Sequence, residues 1–525
     1  MEPSLKPRSF PWLFRWKFWR ALLLIVAGIF TLIALFHAEE NWRGKRAWEN
    51  YQREMEANGE SFDFAKYVPP PVPDDQNFAM TPFLAPIFDF IPGTQRPRDT
   101  NAWQRTQGAV MLPSEVIRTL EKDGWPKGER LDLIHLANEL GTTNRSAPPR
   151  FLAGQTQEAA RAILENLKPT EPIFDELRNA SQRPYSRFNI DYDWESKFSI
   201  VLPHLATIRM ICHRLELRAS AELALGQPAA AFQDVGLMFH LLNSIRSEPF
   251  LISQLVRAAC LIQMLQPMWE GLGHHQWSEK QLADFTEELR TLDFVDDDIR
   301  SIRAEQGFCD SFFVEVRSSR NPVREMNAVN GSQGDSEGAE IEANFGLLIP
   351  RGWFYLEELN YHRLFDDEVN GVMTPTGIDP DAADRKDADV LRELASGGFA
   401  SSILHHRAMS RIVLPALSSF ESRMARAQTY ANLASIACAL ERYRLVHGQF
   451  PETLDSLVPQ FLAVVPRDVI MDQPLKYRRA DDVQFILYSV GWNKTDDGGI
   501  PAAKESEERT HGDWVWKYPT ASPRE

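Results

Sequence analysis

Cysteine is scarce in this chain. Cys212, Cys260, Cys309 and Cys438 are the only four in 525 residues, and no two form a Cys-x-x-Cys pair. That spacing excludes the common structural zinc and dithiol redox motifs. Cys212, Cys260 and Cys438 fall in apolar helical patterns, where a free thiol acts as a small hydrophobe; a disulfide stays open if the compartment is oxidising. Basic character is lacking too. With 57 Lys and Arg against 73 Asp and Glu, the net charge is −16. Holding a phosphate backbone needs a basic face, so nucleic acid is not an expected partner. HExxH, GxSxG, GxGxxG and the P-loop are absent, and the Gly-rich Asn330-Gly331-Ser332-Gln333-Gly334 has no phosphate-loop lysine. Metalloprotease, α/β-hydrolase, dinucleotide and NTPase readings lose their support. Composition is otherwise that of a folded protein. A single core stops growing at about 250–300 residues, so two or more domains are expected.

One long uncharged run is present. Ala21 to Phe36 carries no charge, and with Phe18 and Trp19 before it and Arg20 snorkelling it approaches the ~20 residues that cross a bilayer. Its backbone must bond internally, hence a helix. Trp12, Trp16 and Trp19 form an interfacial belt. Lys6, Arg8, Arg15, Lys17 and Arg20 precede the run, against Arg43, Lys45 and Arg46 after it. The positive-inside rule then predicts a cytoplasmic N-terminus and an extracytoplasmic body on a bacterial-type inner membrane. Cleavage as a signal peptide is disfavoured, because Phe36-His37-Ala38 puts Phe where a small residue is needed.

The pattern predicts a mainly α protein. Residues 1–17 read as a cytoplasmic basic tail, 18–37 as the transmembrane helix, and 38–100 as a juxtamembrane helix, stopped at Asn58-Gly59, plus a Pro-rich spacer. Residues 101–400 read as an α-helical domain with a helical-hairpin array and mobile loops. Leu205, Ile208, Cys212 and Leu215 make one apolar stripe, Phe232, Val235, Phe239 and Leu242 the next, and Leu251, Leu255, Ala258 and Ile262 a third, with breaks at Gly226-Gln227-Pro228 and Glu248-Pro249. Each stripe is about one face wide, so each helix is expected to bury one side. The array is loosely analogous to tetratricopeptide repeats, without their consensus. Ser278 with Gln281 forms a capping box. Asn330 to Ala343 and Asp366 to Asp389 read as long exposed connections. Residues 401–525 read as a long helix ending at Gly448, a small α+β domain and an aromatic strap, Trp514-Val515-Trp516-Lys517-Tyr518.

The segment from Ala439 to Gly499 runs Ala439-Leu440-Glu441-Arg442-Tyr443 through Gly448-Gln449-Phe450-Pro451, Val465-Pro466-Arg467-Asp468 and Gln473-Pro474-Leu475-Lys476-Tyr477 to Tyr488-Ser489-Val490-Gly491. This order of helix, Gly-x-aromatic-Pro, short helix, Pro-x-Asp, two strands and Ser-x-Gly loop resembles the globular domain of a G-type type II secretion pseudopilin. The whole chain resembles uncharacterised membrane-anchored bacterial proteins with such a tail. The resemblance implies a small α+β C-terminal domain and calcium in the loop after the last strand. Here Asn493, Asp496 and Asp497 supply hard oxygens, of which calcium needs six to eight; the competing reading is an Asx turn closed by Gly498-Gly499. In that family the helix opens the protein; here it lies deep in the chain.

Twelve histidines include the adjacent pairs His274-His275 and His405-His406. Neighbours on a helix point about 100° apart, so neither pair readily shares a metal. Asp296-Asp297-Asp298 reads as a cap for a helix beginning near Ile299. No catalytic or organic-cofactor residue stands out. The chain therefore reads as an anchored interaction scaffold that contacts membrane lipid through its first helix and an envelope protein through its body. The alternatives are an extracytoplasmic enzyme with a dispersed site and a type II secretion pseudopilin-related component.

Overall fold

A computed structural model describes all residues except 1–15, 92–93, 95, 123, 142–149, 193–199, 321, 323–348, 370–371, 375–376, 396–404, 409, 414–419, 471, 481–483, 505–506 and 519–525. The basic tail through Arg15 and the Asn330–Ala343 loop lie outside the described residues. Among the described residues, the helices of seven or more residues are α1 (Trp16–Ala57), α2 (Thr100–Val110), α3 (Ser114–Leu120), α4 (Leu133–Gly141), α5 (Thr156–Leu167), α6 (Glu171–Ala180), α7 (Pro203–Ala224), α8 (Pro228–Ser244), α9 (Leu251–Gly273), α10 (Glu279–Arg290), α11 (Phe294–Ser318), α12 (Gly352–Val369), α13 (Pro380–Ala395) and α14 (Phe420–His447). A two-stranded ribbon joins β1 (Met373–Thr374) to β2 (Gly377–Ile378). An antiparallel sheet has the order β3 (Lys476–Arg479), β4 (Phe485–Ser489), β5 (Trp514–Lys517). The fold is mainly helical with a small sheet, and the chain divides into two compact units.

The first unit comprises residues 1–61, 309–365 and 392–414. Its α1 is 42 residues long, about 63 Å at 1.5 Å per residue. The first half is long and apolar enough to cross a membrane, and none of that apolar window is buried. Trp16 and Trp19 stand exposed before it and Trp42 after it, the positions of two interfacial belts. The second half changes character. Glu40, Gly44 and Trp48 recur every four residues and are buried, one face of the helix. Gly44 meets Gly352 of α12 backbone to backbone: a Cβ on Gly352 would lie 2.0 Å from the Glu40 carbonyl oxygen. Asn41 Oδ1 accepts the Gly352 N–H at 2.7 Å, and Glu40 Oε2 accepts the Trp353 indole N–H at 2.8 Å. The helix stops where Gly59 takes φ 88° and the Glu60 N–H reaches back to Met55 O, a glycine-terminated helix end.

The second unit comprises residues 62–308, 366–391 and 415–525. Its leading segment is a chain of short 3-10 turns rather than a bare polyproline rod. Phe64, Phe78, Ile87 and Phe88 are buried, and the Asn77 amide clasps the Arg187 backbone at 2.8 and 2.9 Å. Val116, Leu136, Ile163 and Leu217 seal α3, α4 and α5 onto α7; burying each such side chain stabilises by about 1.5–3 kcal/mol. Helices α7, α8 and α9 pack on one another, and α14 packs on α9 and α10. The sheet lies on α14, with Phe485 and Leu487 of β4 buried. Trp125 packs its ring 5.0 Å from Trp516, and Trp269 Nε1–H donates to Lys517 O at 2.6 Å. The aromatic strap is thus a strand bound to the helical array, and 415–525 share a unit with that array.

Three expectations change. Helices α7 and α9 are buried nearly all round, not along one stripe: His204, His213, Arg214, Glu216 and Glu222 join the apolar residues inside. The hydrophobic pattern cannot show this, because the opposing faces are polar and paired. Helix α11 begins at Phe294 with Asp293 Oδ1 accepting the Asp296 N–H, so the three aspartates lie in its first turns. Residues 366–389 hold the end of α12, the ribbon and most of α13 rather than one exposed connection.

Gly352→Ala should therefore force α1 and α12 apart, since overpacking of this kind costs about 1–3 kcal/mol. Thermal unfolding of the detergent-solubilised protein should fall relative to wild type, while Gly28→Ala, whose Cβ meets nothing within 4 Å, leaves it unchanged.

Candidate functional site

The C-terminal loop brings two of its three expected ligands together. Asn493 Nδ2 lies 3.3 Å from Asp497 Oδ2, which also accepts the Gly512 N–H at 2.8 Å. Asp496 is engaged elsewhere: Oδ1 accepts the Gly498 N–H and the Tyr488 O–H, each at 3.0 Å. Those two hydrogen bonds hold its carboxyl below the usual range. Asn493 Oδ1 is taken by the Thr495 N–H at 2.9 Å, and Lys494 turns out to Asp379 and Asp381. A residue outside the expected set does the central work: Asp513 accepts the Gly499 N–H at 2.6 Å and the Asp497 N–H at 3.2 Å. The side chains of Asn493, Asp496 and Asp497 are all engaged in hydrogen bonds, and carboxylate-to-backbone bonds close the loop. Among the described residues no three or more His, Cys, Asp or Glu side chains are grouped to hold a metal.

The histidine pairs serve separate structural ends. His275, at φ 54°, meets Glu441 Oε1 at 2.9 Å, while His406 packs its ring 5.0 Å from Trp353. Ser253, Glu248 and His204 make a buried row, but Ser253 Oγ donates to Glu248 rather than to the imidazole. That order lacks a nucleophile–base contact.

The second unit also holds a cleft of about 240 Å³, bounded by the end of α3 and the Gly124–Pro126 turn, by α7, by α9 and by α14. Its inner wall carries Glu216, nearly fully buried, with His213 directly behind: His213 Nδ1 stands 3.4 Å from Glu216 Oε2 and Nε2 3.1 Å from Gln263 Nε2. Burial, reinforced by the Glu270 carboxyl, pushes Glu216 well up, and burial beside Arg209 takes His213 down to about 3. The His213 ring is therefore neutral at pH 7. The protonated form of Glu216, which burial favours, donates to Nδ1 and leaves Nε2–H for the amide. Gln263 Oε1 has no partner in this orientation; turned about, it accepts that proton. At the mouth, Arg209 binds Glu121 at 2.6 Å and Arg426 binds Glu508 at 2.7 Å. These residues escaped sequence reasoning because Glu216 and His213 sit inside what reads as an apolar stripe.

A second cleft, about 580 Å³, is bordered by Arg218 and Glu222. Burial and Asp234 raise Glu222 to about 8, while burial raises Asp234 to about 6 against the pull of Arg218 and Arg178. This network ties α6, α7 and α8 together.

No family model, curated protein or solved structure matches the chain.

Asp513→Asn should lower the melting temperature by weakening two backbone bonds, and millimolar calcium should leave the wild-type melting temperature unchanged; a calcium-dependent rise would show that the loop rearranges into a cage. Because the folded pKa of Glu216 is raised, its contribution is present at acid pH and is lost as pH rises through that value. Glu216→Gln should thus gain stability relative to wild type, measured by urea unfolding, as the pH is raised from the ordinary glutamate range.

Proposed function

We propose that this chain is a single-pass inner-membrane protein whose extracytoplasmic helical body is an interaction scaffold, closed by a C-terminal domain like the globular part of a G-type pseudopilin. The observation that carries the reading is α1: one unbroken helix whose apolar half is exposed and whose polar half is built into the first unit. A helix embedded this way holds the body at the bilayer surface. The excess of cations before the apolar run favours the body outside. The pseudopilin likeness is supported by the local order of α14, Phe450-Pro451, the Leu454–Leu457 turn, and β3 and β4. A partner in the envelope is the natural target of a scaffold so placed.

Topology tests the first half of this reading. A reporter active only outside the cytoplasm, fused after Lys517, should be active, and alkaline carbonate should leave the protein in the membrane. An inactive reporter or a freely soluble product would refute it. Site-specific crosslinking in whole cells should capture an envelope or secretion component; an intact N-terminus on the mature protein would separate the scaffold from a processed pseudopilin.

A further inference from the structure

We propose that the cleft walled by α7, α9 and α14 binds a small organic anion, a carboxylate or phosphate carried on a short apolar body. The first argument is charge. Lys122, Arg209, Arg423 and Arg426 border this cleft against Glu121 and Glu216. Burial drives the Glu216 carboxyl toward its protonated form, which lessens the negative charge on the inner wall. A cationic mouth is unexpected in a chain of net charge −16, and it concentrates anions locally. Arg426 is already committed to Glu508, and Arg209 to Glu121. Arg423, exposed on α14, has no carboxylate partner among the described residues, leaving a guanidinium for a planar bidentate contact.

The second argument is shape. Leu255, Ala259 and Ile262 recur at steps of four and three along α9, line the cleft and stay half-buried. Alanines at 258 and 259 leave the volume that larger side chains would fill. An apolar strip beneath a positive rim matches a ligand with one charged end, since ligand sites pair apolar walls with a few placed polar groups. At about 240 Å³ the space suits a small molecule rather than a peptide.

The test uses the full-length protein in zwitterionic nanodiscs, titrated calorimetrically with hexanoate, hexyl phosphate, hexanol and hexylammonium. Hexanoate or hexyl phosphate should bind with a millimolar or lower Kd, and the stronger of the two names the headgroup. Hexanol and hexylammonium should bind at least roughly tenfold more weakly, the loss expected for one charge-assisted bond. Arg423→Glu, at an exposed position, should weaken the anions at least roughly tenfold, and Ala259→Trp should block them by filling the cleft. Thermal melts confirm that each variant is folded. The proposal is overturned if neither anion binds, if hexanol or hexylammonium binds as tightly, or if both folded variants bind the anions like wild type.

Discussion

Water is kept from nearly every face of α7, and the charged side chains along that helix must answer for it. A buried ion without a partner is too costly to keep, so each group is paired or loses its charge. Arg214 gives its guanidinium to the Val110 and Met111 carbonyls. Arg218 sits against Glu222 and Asp234. His213 is neutral instead, and burial drives the Glu216 carboxyl toward its protonated form. The packing of α3, α5, α8 and α9 around α7 depends on these settlements. They also set the chemistry of the two clefts that border the helix.

How far this could be read from the residues varies with distance along the chain. The breaks at Gly226-Gln227-Pro228 and Glu248-Pro249 separate α7, α8 and α9, because proline and glycine act locally. The capping box at Ser278 and Gln281 forms with both of its bonds. The stop at Gly59 is equally local. What escaped was long-range pairing. Nothing in the sequence around Asp513 says that it closes a loop fourteen to sixteen residues earlier. The apolar stripe of α7 shows Leu205, Ile208 and Leu215 but not that His213 and Glu216 are also inside, since their burial depends on partners from distant segments. The cleft likewise needs α3, α9 and α14 to converge, which no local pattern encodes.

The two glycines at 44 and 352 show how little side chain a tight helix contact needs. With no Cβ between them, the backbones of α1 and α12 approach until Asn41 and Glu40 can bond the first residues of α12. The Asn41 bond satisfies the Gly352 N–H, one of the groups that a helix start leaves open, while Glu40 takes the Trp353 indole N–H. The specificity of the contact comes from the missing atoms as much as from the bonds.

No glycine, proline or loop interrupts α1 between its apolar half and the face carrying Gly44 and Trp48 other than Gly44 itself, which is pinned. Such a rod has no joint at the headgroups. With the apolar half spanning a bilayer as proposed, a thinner or thicker bilayer that changes the helix's tilt would make the first unit lean with it, and the lipid surroundings would set the pose in which that part of the protein is offered to whatever approaches.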